Sequence, residues 1–434
     1  MTASAIEHGA GLDTDIVIAG GGLAGATLAL TLAKVLPQLR ITVVEAFPLA
    51  PDALPESYQP SYDARSTALA WGSRLIFEEL GVWPRLAEYV TPIRHIHVSD
   101  RGRFGATHLH AEDHGQEALG YVADNRWMGL SLMRELQQTD ICWQAPAEVV
   151  GMSQRPHGIT VNLRNGESES ELSAQCLVVA DGGRSGLREK LGFRVDQQSY
   201  GQNALVANVT TSEHHQFTAY ERFTDEGPMA LLPQSSGKHA GDTAALVWTL
   251  DDVALEQLLA LDEAGKCQQL QQRFGWRLGR FTRIGQCSHY PLTLTTVHES
   301  VQPGVVLVGN AAHTLHPVAG QGFNLALRGL MALVEQFRLA SEQNIALGDL
   351  RLLRRYQENH RSDWRQTVQF SDSLIQLFGH RLPAIAAARD LGLVGLGLVP
   401  GAKRWFGRKA MGMGGRRAVI RASGATPSGN AHHE

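Results

Sequence analysis

The sequence is short of the features that mark specialised chain classes. Four cysteines, Cys142, Cys176, Cys267 and Cys287, are scattered through 434 residues, and no two stand at a CxxC spacing. A disulfide-stapled scaffold and a cysteine zinc site are therefore not expected, and reduced thiols in a cytoplasmic setting are. Neither sign of charge dominates: 39 Lys and Arg stand against 43 Asp and Glu, a net charge of −4. No global basic field exists to recruit nucleic acid. No window approaches 18 uninterrupted apolar residues, which argues against a transmembrane helix. The opening MTASAIEHGAGLDTD lacks the basic and apolar regions of a signal peptide. Internal repeats are absent. The length exceeds one typical core, so two domains are expected.

What is present begins with a nucleotide signature. The apolar run DIVIA (15–19) leads into Gly20-x-Gly22-x-x-Gly25, a helical pattern follows from Leu23 to Leu36, and ITVVE (41–45) ends on Glu45. Gly20 permits a tight turn, Gly22 lets the backbone approach a pyrophosphate, and Gly25 lets the helix pack on the sheet. The pyrophosphate then meets the unpaired amides of the helix start, and Glu45 accepts from ribose hydroxyls. No second GxGxxG follows a strand, so a dedicated nicotinamide domain is not expected. Further on, helical patterns are expected over 66–90, centred on 75–80 and 84–89, and over 124–138, 252–278, 323–341 and 348–380. Strands are expected at 146–152, 158–163 and 175–180, and a sheet-rich module over about 200–250.

Two later stretches decide the nucleotide. LVVADGGRSGLREKLG (177–192) carries Asp181, Gly182, Ser185 and Arg188, and GVVLVGNAAHTLHPVAGQGFNLALRG (304–329) carries Gly309, Asn310, His313, Pro317, Gly320, Gln321, Gly322, Phe323 and Asn324. With the first motif, these resemble the class A flavin-dependent aromatic hydroxylases, the para-hydroxybenzoate hydroxylase fold. The three motifs span residues 16–329, about three quarters of the chain. YDARSTALA (62–70), IHVSDRG (96–102), ALGYVADNR (118–126) and TLHPVAGQGFNL (314–325) are similar to the ring hydroxylases of ubiquinone biosynthesis. Within that group, Asn310 and Leu315-His316-Pro317 resemble the 2-polyprenyl-6-methoxyphenol hydroxylases.

The resemblance implies an α/β fold: a Rossmann-like FAD-binding domain interrupted by a mixed-sheet substrate domain, with a helical C-terminal segment. The expected boundaries are 1–70, 103–192 and 293–365 for the FAD-binding domain, and 71–102 and 193–292 for the substrate domain. The helical segment is expected over 366–422 and a disordered tail over 423–434. The implied chemistry is hydroxylation of a prenylated phenol with non-covalent FAD, O2, and NADPH or NADH as a transient reductant. Other enzymes of ubiquinone biosynthesis are expected partners. Pro317 and His313 are the candidate catalytic residues. Gly320, Gly322 and the amides near Phe323 are expected to approach the flavin ring, with Gln321 and Asn324 beside them. Asp181, Gly182 and Arg188 are expected to serve FAD and the reductant, and Gly309 and Asn310 the ribityl chain. Most relatives carry an acid where Asn310 and Gly329 stand. Asn310 keeps an acceptor oxygen without the charge, so FAD binding is expected to weaken modestly rather than vanish. Arg65 is expected at the pyrophosphate or simply at the surface. Asn125 and Arg126 are expected to face the flavin or to cap their helix.

Two histidine groups invite a metal reading, His313 with His316 and His108-x-His110-x-Glu112 with His114, but neither set resembles a metal centre and none is expected. No W-x-W pair occurs among the eight tryptophans, unlike the flavin halogenases. Candidate pocket residues in the sheet-rich module are Phe223, Met229, Leu231, Leu232, Pro233 and Trp248. Residues 391–423 hold Lys403, Arg404, Arg408, Lys409, Arg416, Arg417 and Arg421, with no acid and with Trp405 and Phe406 interleaved. This run predicts either peripheral contact with the inner face of the membrane or a helical tail packed on the protein.

Overall fold

The computed structural model describes residues 11–59, 61, 64–102, 105–224, 226–235, 241–314, 320–379 and 399–413. At its centre is a six-stranded sheet in the order Val301–Gln302, Val305–Leu307, Cys176–Val179, Ile16–Ala19, Ile41–Val44, Cys142–Gln144. All neighbours are parallel except the first pair. The strand IVIA is apolar throughout because both its faces are covered. Ile16 and Ile18 join one buried cluster, and Val17 and Ala19 join another on the opposite side. The first cluster packs the helices Leu23–Val35, Asn125–Leu136 and Gln321–Glu342 onto the sheet. The second lies under a three-stranded antiparallel sheet made by Glu148–Arg155, Gly158–Asn165 and Ser168–Ala174. Fully buried side chains such as Phe77 and Trp127 each contribute about 1.5–3 kcal/mol of burial energy.

A second, larger sheet runs His313–Thr314, Ser288–Val297, Val195–Thr211, Thr243–Leu250, Gly227–Gln234, Thr218–Thr224, His95–Asp100, Ala106–His110. Helices Asp252–Leu259 and Glu263–Phe274 cover one face. Strand alternation sends Met229, Leu231 and Trp248 into that covered core and Phe223 and Leu232 to the other face. Of the expected pocket residues, Phe223 and Leu232 line the apolar cavity described below, and Pro233 is buried on the same face as Leu231.

Two expectations of secondary structure need correction. Residues Ser66–Ala70 form a strand paired with Gly120–Asp124, and the helix starts only at Trp71. The helical stretch 252–278 is two helices, because Asp262 caps a fresh start by accepting from the Gly265 amide at 2.8 Å. The boundary at 103 would cut the hairpin in which His95–Asp100 pairs with Ala106–His110, and helix Trp71–Glu79 buries Trp71, Ile76 and Phe77 in the dinucleotide-side core. The boundary at 365 falls inside one continuous helix, Leu350–Gly379. The apolar run before residue 399 and the tail from 414 lie outside the described residues.

Candidate active site

The three motif loops leave the carboxyl ends of three adjacent parallel strands. Ile16–Ala19 delivers the glycine loop, Cys176–Val179 the Asp181 loop, and Val305–Leu307 the Gly309 loop. Open α/β sheets bind ligands at that end. Gly20 has φ +105°, and a Cβ there would lie 2.8 Å from the Ala180 carbonyl oxygen. A Cβ on Gly25 would lie 1.9 Å from the Gly20 oxygen, so the helix could not seat. Gly22 faces open space and is the N-cap of Leu23–Val35 without any side-chain cap, which leaves the first amides of the helix for an anion. The Glu45 carboxylate reaches the same loop, accepting from the Gly21 amide at 2.6 Å and the Phe47 amide at 2.8 Å. Gly21 has its own constraint, which sequence spacing missed: a Cβ would lie 2.4 Å from the Trp143 ring.

The other two loops are stapled together. Asp181 accepts from the Gly183 amide at 2.8 Å and from the Ser185 hydroxyl. A Cβ on Gly183 would lie 3.2 Å from the Asn310 carbonyl oxygen. Arg188 is 4% exposed and donates to the Ala311 carbonyl at 3.0 Å and to Glu189 at 2.6 Å. Its guanidinium ties the Asp181 loop to the Gly309 loop. Asn310 is exposed, with its side chain at the free surface of the loop.

In Asn324 the oxygen accepts from the Ala70 amide at 2.8 Å and the Ser73 hydroxyl at 2.7 Å, and the amide donates to the Ala68 and Gly320 carbonyls at 2.9 and 2.8 Å. All four valences are used in a site 1% exposed. Asn324 therefore clamps the Gly320 turn onto strand Ser66–Ala70. Gly320 sits at φ +58° with Ala68 beneath it, and Gly322 faces open space. Phe323 packs on the main core and Gln321 is buried. Pro317 lies outside the described residues.

His313 lies against the helix that follows the third motif. Its ring stacks on His360 at 5.5 Å and lies 5.3 Å from Trp364. Burial, with His360 adding to it, pushes its pKa down to about 3. The imidazole is thus packed in its neutral form against the helix Leu350–Gly379. The His360 ring explains Gly329, because a Cβ there would lie 2.8 Å from it.

At the start of Asn125–Leu136 the cap is Asp124, which accepts from the Arg126 amide at 2.7 Å and from the Tyr58 hydroxyl. Asn125 instead accepts from the Thr67 hydroxyl at 2.6 Å, and its amide is bonded to the Arg65 carbonyl at 2.9 Å. Arg65 and Arg126 are exposed. The histidines of the 95–110 hairpin stand in cross-strand pairs, His95 opposite His110 and His97 opposite His108. Burial and the nearby Arg277 press the His97 pKa down to about 4. Among the described residues no group of three or more His, Cys, Asp or Glu is arranged to hold a metal ion.

Beside the Gly320 turn lies an apolar cavity of about 850 Å³, counting its open mouth. Leu69, Leu119, Phe223 and Leu232 wall it, Gln321 and Asn324 border it on the cofactor-loop side, and Glu221 is the one carboxylate in its lining. A mostly apolar lining with a few convergent polar groups is the character of a small-molecule site. An uncapped helix start, three adjoining glycine loops and an apolar chamber against the last of them fit a dinucleotide whose reactive ring faces a hydrophobic substrate. Fold and site together define a flavin-dependent monooxygenase of the aromatic-hydroxylase class.

Known proteins agree. Residues 13–371 match the family described as FAD binding domain. The ubiquinone hydroxylase UbiL of Rhodospirillum rubrum is 33% identical over 92% of this chain and 89% of its own length. The 3-demethoxyubiquinol 3-hydroxylase of Escherichia coli is 29% identical over 88% of this chain and 94% of its own. The crystal structure of p-nitrophenol 4-monooxygenase PnpA from Pseudomonas putida shares the fold, with TM-score 0.73 at 17% identity over 93% of this chain and 99% of that one. The chain belongs to the FAD binding domain family, and its cofactor is FAD.

Proposed function

We propose that this enzyme hydroxylates the aromatic ring of a prenylated phenol in ubiquinone biosynthesis, of the 2-polyprenyl-6-methoxyphenol type, using O2 and NADPH or NADH. The observation that carries this reading is the apolar cavity that shares Gln321 and Asn324 with the cofactor loop. FAD, when bound, supplies the hydride acceptance and oxygen activation. The chain's own part is placement and exclusion of water. Gly20, Gly22 and the open helix start hold the pyrophosphate, and Glu45 and Asn310 supply acceptors for the sugar hydroxyls. Gly182, Gly309 and Gly322 let backbone approach the cofactor, and Arg65, Asn125 and Arg126 form its outer edge. The apolar walls keep water from the reacting oxygen. Glu221 is the lining group suited to accept the phenol's hydrogen bond. The decisive assay is NAD(P)H-dependent oxygen uptake with prenylated phenols, with the product weighed by mass spectrometry. A gain of one oxygen atom in the ring is expected. Saturation of an isoprenoid double bond instead would make the protein a reductase, and no turnover with any phenol would make it a flavin-holding subunit.

A second observation favours docking at the inner face of a membrane. Among the described residues no helix is long and apolar enough to cross one. Helix Pro400–Ala410, however, exposes Arg404, Arg408 and a 57% exposed Trp405, with Lys403 and Lys409 half-exposed, on a chain whose net charge is −4. Basic residues and an interfacial tryptophan on one short helix suit anionic lipid, at about 1 kcal/mol per basic residue near the surface. Co-sedimentation with anionic vesicles should fall steeply as salt rises; salt-independent or absent sedimentation would assign the helix to the protein alone.

A further inference from the structure

The same helix has a second face. Phe406 and Ala410 project inward and complete the wall of the apolar cavity, to which Gln321 of the cofactor loop also belongs. We propose that helix Pro400–Ala410 is the specificity element for the substrate's prenyl chain, with Phe406 and Ala410 as the surface against which that chain lies. The proposal rests on the hydroxylase reading above.

Three observations carry it. The helix is fixed at both ends. Lys403 pairs with Asp113 at 2.7 Å near its start, and the Gly72 amide donates to the Met411 carbonyl at 2.9 Å past its end. It is pressed so closely on the body that a Cβ on Gly407 would lie 2.1 Å from the His114 ring. A helix held this rigidly presents a wall of fixed position, as a length or shape filter must. The wall is apolar, whereas the polar lining comes from Gln321, Asn324 and Glu221. A phenol ring seated at Gln321 leaves the space beside Phe406 and Ala410 to its substituent. Attraction between apolar surfaces is non-directional and grows with area, so an isoprenoid chain gains with each unit that finds wall and gains nothing beyond it. The outward side of the helix carries exposed Trp405, and Val399 precedes the helix at 53% exposure. The wall therefore separates the cavity from the surface at which a lipid-soluble chain would arrive.

The test uses the full-length, FAD-loaded enzyme with phenols of increasing prenyl length in detergent micelles, so that vesicle docking plays no part. Ala410→Trp fills the cavity from the wall side, Ala410→Leu does so more mildly, and Phe406→Ala enlarges it. The kcat/KM ratio of the longest to the shortest substrate should fall at least tenfold in Ala410→Trp, chiefly through KM, fall less in Ala410→Leu, and move the opposite way in Phe406→Ala. Variants that change kcat/KM equally for all lengths overturn the proposal. A phenol carrying a photoreactive group at the end of its prenyl chain should label residues 399–413 of the unaltered enzyme. Labelling confined to other segments overturns the proposal even where a variant folds poorly. Failure of the parent reading looks different: the unaltered enzyme would then hydroxylate neither long nor short phenols.

Discussion

Two asparagines of one motif show how differently the same side chain can be used. Asn310 lies exposed beside the Asp181 loop, whereas Asn324 is buried with four hydrogen bonds, to the Gly320 turn, the strand beneath it and the Ser73 hydroxyl of the next helix. A buried group robbed of its partner costs far more than a partner lost to solvent. Asn324→Ala should therefore destabilise the fold by roughly 2–4 kcal/mol, from two donors and two acceptors left unpaired, with a matching drop in the urea midpoint. Asn310→Leu should leave that midpoint within about 0.5 kcal/mol, as surface changes do, and instead weaken FAD binding to the apoprotein by about 1 kcal/mol, the scale of one neutral hydrogen bond. Equal effects on stability and on FAD titration in the two variants would show that the roles are not divided this way.

The helices Gln321–Glu342 and Leu350–Gly379 meet across His313, Gly329, His360 and Trp364. Burial pushes the His360 pKa down to about 4, with Arg328 acting the same way and Asp363 opposing. Arg328 itself is held by Asp363 at 2.7 Å. A histidine depressed in the folded state binds fewer protons there than in the unfolded chain, whose value is near 6.5. Its contribution is fully present above pH 6.5 and is lost as pH falls toward about 4. Stability should thus decline with acid in this window, and His360→Gln should lessen the slope by the equivalent of about one proton. Urea melts of both proteins at several pH values between these limits measure it; identical slopes would mean that His360 is protonated in the folded enzyme.

Over the whole molecule, the cofactor cradle is one object assembled from loops more than a hundred residues apart. Arg188 and the contact of Gly183 with Asn310 join the second loop to the third, and Asn324 joins the third to strand Ser66–Ala70. Removal of FAD should therefore raise amide hydrogen exchange together over 20–25, 181–188 and 309–324, since a ligand that binds only the folded cradle protects all of it. A response confined to 20–25 would mean that the loops open independently.

Local chemistry was legible in the chain. Gly25 is required by the Gly20 oxygen five residues before it, so spacing alone exposes it, whereas Gly20 also answers to the Ala180 carbonyl on the neighbouring strand. The alternation of the buried strands likewise follows from residue order, and the three motifs carried the family and its cofactor. What residue order did not disclose depends on neighbours distant in the chain. Whether Arg188 meets a phosphate or the Ala311 carbonyl turns on a segment 123 residues away, and Asn324 is claimed by a strand more than 250 residues earlier. The split of Leu231 from Leu232, one into the core and one to the cavity, needed the helices that cover a single face of the large sheet. His313 reads as catalytic in its motif, and only tertiary packing shows the His360 and Trp364 rings set against it. A side chain's type is written in the sequence, but its hydrogen-bond partner and its dielectric surroundings are set by whatever tertiary packing brings within a few ångströms.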